Sequence, residues 1–484
     1  MSKYVPTIGI EIHVQLATKS KMFCSCDNDS VRAEPNTNVC PVCLGYPGTL
    51  PVPNKHAVEL AIRLGYGLHA TVREHTKFDR KNYFYPDSPK GYQITQFDQP
   101  IIEDGWIEIL IDGEFKRIGI ERAHLEEDAG KLSHPAGKDY SLVDLNRAGT
   151  PLLEIVSRPD MHTPQEARRY LQEIYAIATT LGVTHGDMQH GNMKFDLNVS
   201  ISDDPEKLGT RTELKNLNSF RNAERALTHE IARQIEIREA GGAITQETRG
   251  WDDSKGQTFS QRSKEEAHDY RYFPEPDIPP LVVTEEMRVA QREHLGTLPI
   301  DLRRELVEIG LNIDEQDVLI GQPHTSAIFA EAREAENEKS TRKVLNYLIG
   351  PYQAYLKSQS TEEVDLTQLK PKYSAAQLMT LVGKELNGEL SSNMAKQVFV
   401  EMCEQGADPE EIIEREGMTQ LSDEAALQKI VERVIRDNPQ AAADFKSGNE
   451  KALGFFVGQI MKETKGQANP QAVNTLLRTM LETA

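Results

Sequence analysis

The chain has 484 residues, of which 38% are hydrophobic and 27% charged, and a formal net charge of −20. These are the proportions of a soluble globular protein of roughly two to four domains. A generic nucleic-acid coater would be basic, so any RNA partner must be met through a local patch or by shape. No apolar run approaches the ~18 residues of a membrane span. The N-terminus has no signal-peptide pattern, and a cytoplasmic protein is expected.

In chain order, Ile8, Ile10, Ile12, Val14 and Leu16 alternate with Gly9, Glu11, His13 and Gln15. That period of two predicts a half-buried strand with Glu11 and His13 on one face. Such a pair fits a solvated face as well as a metal site. Cys24-Ser25-Cys26 and Cys40-Pro41-Val42-Cys43 follow as two close cysteine pairs. Four thiolates so spaced make a closed tetrahedral set for structural Zn²⁺, with four free loop cysteines as the plain alternative. Lys77 to Asp87 interleaves cations and aromatics. Lys77, Arg80, Lys81 and Tyr83 could hold phosphates and stack a base, although a surface loop tolerates the same composition.

Asp112-Gly113 between two apolar runs predicts a hairpin with a type I′ turn. Glu126, Glu127 and Asp128 close its second strand. Glu154 lies inside the apolar run Pro151 to Val156, where an ionised carboxylate is costly without a cation or hydrogen bonds. Thr163-Pro164-Gln165-Glu166 is a capping box that starts a helix ending at Gly182. A further strand covers Phe195 to Ile201, and a helix runs from Phe220 to Ala240, stopping at Gly241-Gly242. Asp196 and Glu213 sit on strand-like segments. Carboxylates with one imidazole are what Mg²⁺ or Mn²⁺ bridging ATP phosphates would need.

Strands and helices do not alternate regularly, so an α+β domain is expected over residues 1–290. Beyond a proline cluster at 274–280 the pattern is helical, with starts at Ser391, Ser422-Asp423 and Asn469. All-α domains are expected over 291–405 and 406–484. Cys403, alone in a helical segment, reads as a small buried hydrophobe. The tail from Lys446 sets Lys446, Lys451, Lys462, Lys465 and Arg478 against Glu450, Glu463 and Glu482. With Gly448, Gly454, Gly458 and Gly466 it could approach an RNA backbone. No G-x-x-x-x-G-K-[ST] loop and no nucleophile elbow occur.

Several of these segments together resemble the B component of the aspartyl/glutamyl-tRNA amidotransferases, their tRNA-binding, kinase-type subunit. They include Ile8-Gly9-Ile10-Glu11-Ile12-His13, Lys77 to Asp87, Gln93 to Pro100, His124 to Lys131 and Asp144-Leu145-Asn146-Arg147. Glu213 to Phe220, Asp269 to Asp277, Gly454 to Gln459 and Lys465 to Pro470 extend the likeness over nearly the whole chain. The resemblance implies a catalytic cradle related in fold to glutamine synthetase, then a helical domain and a helical tail that touches tRNA. It implies an ATP-dependent ligase acting on Glu-tRNA(Gln), Asp-tRNA(Asn) or both. Its partners would be an amidase subunit that frees ammonia from glutamine and a small third subunit.

By the same resemblance Glu11, His13, Glu127 and Glu154 would hold Mg²⁺ or Mn²⁺. Asp196 and Glu213 would attend a second cation or the nucleotide, with Lys194 and Lys215 beside it, and the cysteines match the zinc-bearing branch. His190 and Lys194 depart from the family's usual glutamate and arginine. Lysine cannot make arginine's bidentate fork, so phosphate geometry there would differ. Two rival readings are a tRNA-binding adapter without catalysis and a glutamine-synthetase-like ligase for a free amino acid.

Overall fold

The computed structural model describes residues 3–483 except 31, 136, 189–190, 205, 218, 264–269, 336–337, 360–368, 419–423, 447–450, 465–467 and 469. His190, Asn218, Asp269, Ser422, Asp423, Gly448, Glu450, Lys465, Gly466, Gln467 and Asn469 therefore lie outside the described residues. The chain divides into two compact units, Met1–Ile309 and Gly310–Ala484.

The first unit mixes helices with a large sheet. Its early strands are β1 (Val5–Gln15), β2 (Thr71–Val72), β3 (His75–Thr76), β4 (Asp79–Asn82), β5 (Tyr92–Thr95), β6 (Ile102–Ile111), β7 (Glu114–Glu127) and β8 (Lys131–Ser133). The later ones are β9 (Leu142–Asp144), β10 (Pro151–Ser157), β11 (Met193–Ser202), β12 (Thr212–Leu217), β13 (Glu247–Asp252), β14 (Gln257–Ser263), β15 (Phe273–Pro274) and β16 (Leu281–Val282). Nine of them form one sheet in the order β14-β13-β12-β11-β1-β10-β7-β6-β2. Neighbours in it are antiparallel except β12 and β13.

Local chemistry sets these elements. Asp112 and Gly113 both have positive φ, +50° and +85°, as a type I′ turn between β6 and β7 requires. Thr163 and Glu166 close a capping box ahead of helix α2 (Pro164–Thr180), and Gly182 beyond it is left-handed at φ +63°. Helices α1 (Lys55–Gly67), α2 and α3 (Phe220–Glu239) cover one face of the sheet. Ile8, Ile10, Ile12 and Val14 of β1 point into that core with Leu153 and Ile155 of β10 and Leu197 and Val199 of β11. The alternate residues of the same strands line the opposite, polar face.

Every described element after Val282 is a helix. In the second unit Ser391 caps the helix Ser392–Gln405, in which Cys403 is buried, and Gly406 ends it in the left-handed region. Helices Glu424–Asp437, Pro439–Lys446, Lys451–Glu463 and Pro470–Thr483 share a core containing Val431, Phe456, Ile460, Val473, Leu477 and Leu481. Among the described residues no helix is long and apolar enough to cross a membrane.

Candidate active site

The polar face of the central strands gathers the titratable groups. His13 on β1 lies opposite Glu154 on β10, and Glu154 lies opposite His124 on β7. Glu126 follows two residues along β7. His13 Nε2 stands 3.3 Å from Glu154 Oε2 and 3.6 Å from Glu126 Oε1. His124 Nε2 stands 3.4 Å from Glu154 Oε2 and 3.6 Å from Glu126 Oε2. Burial pushes each imidazolium down, but Glu154 and Glu126 outweigh it and raise His13 and His124 to about 9. Burial alone would raise the Glu154 carboxyl; His124 and His13 beside it hold it well below the usual range.

His13, Glu126 and Glu154 each offer one ligand atom, and these atoms lie within 4.8 Å of one another. Ligands ~2.1 Å from an octahedral Mg²⁺ stand about 3 Å apart. The observed 3.3 and 3.6 Å are close to that spacing, so the donor set fits a small hard cation. Glu11, Asp196 and Glu213 form a second such group on β1, β11 and β12. Burial, then Glu154 and Asp196, raises Glu11. Asn198 donates to Glu11 Oε1 at 3.0 Å, and Thr248 to Glu213 Oε2 at 2.7 Å. Lys215 spans Asp196 and Glu213.

A cavity of about 270 Å³ opens over this face. Its lining includes His13, Glu126 and Asp196, with Lys81, Tyr83 and Lys194 as cations and aromatic. Lys81 also lies 4.8 Å from the centroid of the Tyr270 ring. Tyr272 stacks on Phe97 at 4.2 Å. Lys77 and Arg80 are turned elsewhere. Lys77 pairs with Asp79 and Asp98. Arg80 grips the buried Glu275 through two bonds of 2.7 Å and lies over Tyr92.

Glu127 does not join His13 and Glu154. Its Oε1 pairs with Lys90 and accepts from Ile94 N at 2.9 Å. It lines a smaller cavity together with Cys24, Cys43, Lys90 and Gly149. The four sulfurs of Cys24, Cys26, Cys40 and Cys43 lie within 4.8 Å of one another. Zn–S bonds of ~2.3 Å in a tetrahedron put sulfurs about 3.8 Å apart, and Cys40 and Cys43 stand at 3.8 Å. Cys40 N donates to Cys43 Sγ at 3.1 Å. The fully buried Lys21 lies 3.8 Å from Cys43 Sγ, a positive charge beside a thiolate set. The set fits zinc.

The knuckle is tied to the site. Asn38 N donates to Asn146 Oδ1 at 2.8 Å, and Met22 N to Gly149 O at 2.7 Å. Arg147, next in the chain, pairs with Asp128 at 3.1 Å, and Asp128 lines the larger cavity.

The family model described as GatB/GatE catalytic domain matches residues 6–289, and one described as GatB domain matches 328–481. The chain belongs to the GatB family. Relatives named as the B component of aspartyl/glutamyl-tRNA(Asn/Gln) amidotransferase include those of Brevibacillus brevis (49% identical) and Carboxydothermus hydrogenoformans (48% identical). Each comparison covers 99% of both chains. The protein of that name from Dehalococcoides mccartyi is 46% identical over the whole of both chains.

In this GatB-family chain, sequence reasoning reached Glu11, His13, Glu154, Asp196 and Glu213, and missed Glu126 and His124 as partners in the cluster. Both stand in the run His124 to Lys131. Their signal was their alternation with Ala123 and Leu125, which are core residues.

Proposed function

We propose that this chain is the tRNA-docking, carboxylate-activating subunit of a glutamine-dependent Glu-tRNA(Gln)/Asp-tRNA(Asn) amidotransferase. A side-chain carboxylate resists ammonia because it is anionic and its oxide leaves poorly. Transfer of the γ-phosphoryl group of ATP to the carboxylate gives an acyl phosphate and ADP. Ammonia then adds to the carbonyl carbon, phosphate departs, and the amide remains. Such a transfer needs positioning and charge neutralisation rather than a protein nucleophile.

The observation that carries this reading is the pairing of two carboxylate groups with a lysine-lined cavity on one face of the sheet. His13, Glu126 and Glu154 would hold one Mg²⁺ or Mn²⁺, and Glu11, Asp196 and Glu213 a second. Bound there, the cations would neutralise phosphate oxygens. Lys81 and Lys194 would meet the remaining phosphate charge, and Tyr83 would offer a face to the base. The cysteine set would hold a structural zinc. We further propose that residues 1–290 form a cradle of the glutamine synthetase kind, and that 291–405 and 406–484 are helical domains, the last touching tRNA. An amidase subunit and a small third subunit would complete the enzyme, the amidase delivering unprotonated ammonia.

Reconstituted with those partners, ATP and glutamine, the chain should amidate charged tRNA and leave free glutamate untouched. The test uses Glu-tRNA(Gln), Asp-tRNA(Asn) and free glutamate in parallel. Turnover of free glutamate at a comparable rate would instead make it a small-molecule ligase.

A further inference from the structure

We propose that His124 and Thr95 are positioning residues that hold Glu126 and Glu154 in the geometry a divalent cation requires. The inference rests on the reading that His13, Glu126 and Glu154 bind that cation.

His124 occupies a strand position flanked by the core residues Ala123 and Leu125 and is itself buried. It does not line the cavity, whereas His13 and Glu126 do. Its Nδ1 is buried with no hydrogen-bond partner among the described residues. The ring's polar contacts are thus through Nε2, to Glu126 Oε2 at 3.6 Å and Glu154 Oε2 at 3.4 Å.

Thr95, also buried, donates its hydroxyl to the same Glu126 Oε2 at 3.1 Å. Glu126 is therefore gripped by one oxygen from two sides. Its other oxygen, Oε1, is the one that faces His13 Nε2 at 3.6 Å. A carboxylate tethered through one oxygen and presenting the other is how outer partners orient metal ligands. A leucine would fill the place of His124 without a buried unmatched atom, so what the imidazole adds is its hold on the two carboxylates.

The test is Mn²⁺ titration of the assembled complex by electron paramagnetic resonance, in wild type, H124L, H124Q, T95V and E154Q. Loss of an outer partner costs about 10- to 100-fold in metal affinity, and H124L should weaken Mn²⁺ binding by that factor. H124Q, whose amide N–H can reach the same oxygens, should recover most of it. The cation concentration for half-maximal amidation should rise in parallel in H124L, with the maximal rate regained at high cation. Wild-type Mn²⁺ affinity in H124L would overturn the proposal; if H124L does not fold, wild-type affinity in T95V would do so. Should E154Q bind Mn²⁺ as the wild type does, the cation reading itself fails, and the role of His124 with it.

Discussion

Replacing Glu127 with glutamine removes one charge of a pair whose side chains are only 10% and 6% exposed. The Lys90 ammonium would remain between the Phe23 and Tyr92 rings without its counter-charge. Breaking such a buried pair costs ~3 kcal/mol or more, so E127Q should lower the thermal midpoint of the complex. An unchanged midpoint would show that Lys90 finds other compensation. The distinction between Glu127 and its neighbour was hard to read from sequence. Counted from the buried Ile118 and Ile120, strict alternation puts Glu126 on the core face and Glu127 on the opposite one. The structure reverses this because β7 advances from Ile120 to Arg122 while β10 advances only from Ser157 to Val156. That bulge shifts the parity, so Ala123 and Leu125 become the core residues and Glu126 joins the polar face. Glu11, His13 and Glu154 were legible because β1 and the apolar stretch of β10 run without such an irregularity up to Val156. Arg80 was misleading for another reason. A cation among aromatics signals a phosphate site or a clamp equally, and only the fold brings Glu275 to it.

Elements defined by local chemistry were the legible ones. The Asp112-Gly113 hairpin, the Thr163 capping box and the left-handed glycines after helices follow from backbone rules that need no tertiary context. The pairing of β10 beside β1, or of β15 beside β4, depends on long connections that no local signal reports. The cysteine knuckle combines both kinds. Its four cysteines could be grouped from spacing, but its hold on Asn146, and through Arg147 on Asp128, is a matter of tertiary contact. Serine at Cys40 removes one thiolate from a closed tetrahedral set, and structural zinc contributes folding energy directly. C40S should therefore lower the zinc content and the thermal stability more than it changes the turnover of the protein that survives. Elemental analysis giving no zinc in metal-replete wild-type protein would remove the zinc reading.

For the molecule as a whole, a charge of −20 has to be reconciled with an RNA substrate. Recognition by shape and by a few backbone contacts does so. The four last helices have a core of their own, and the preceding helix Pro409–Glu416 packs on the earlier ones through the buried Ile412. Truncation after Met418 should thus raise KM for charged tRNA while sparing ATP binding. The salt dependence of tRNA binding should weaken as well, since fewer phosphate contacts release fewer counterions. Equal affinities and salt slopes for full-length and truncated complexes would exclude the tail from docking. In the proposed function, the polar face of the nine-stranded sheet activates the tRNA-bound carboxylate. The direct measurement is ATP-dependent amidation of Glu-tRNA(Gln) by complexes carrying E126Q, with ammonium chloride supplied in place of glutamine. Loss of a cation ligand can remove ~3 kcal/mol of transition-state stabilisation. Amidation by E126Q should fall roughly 10²-fold with either nitrogen source, while glutamine hydrolysis by the partner persists. Ammonia-driven amidation at the wild-type rate in E126Q would show that Glu126 and its face of the sheet do not carry the activation.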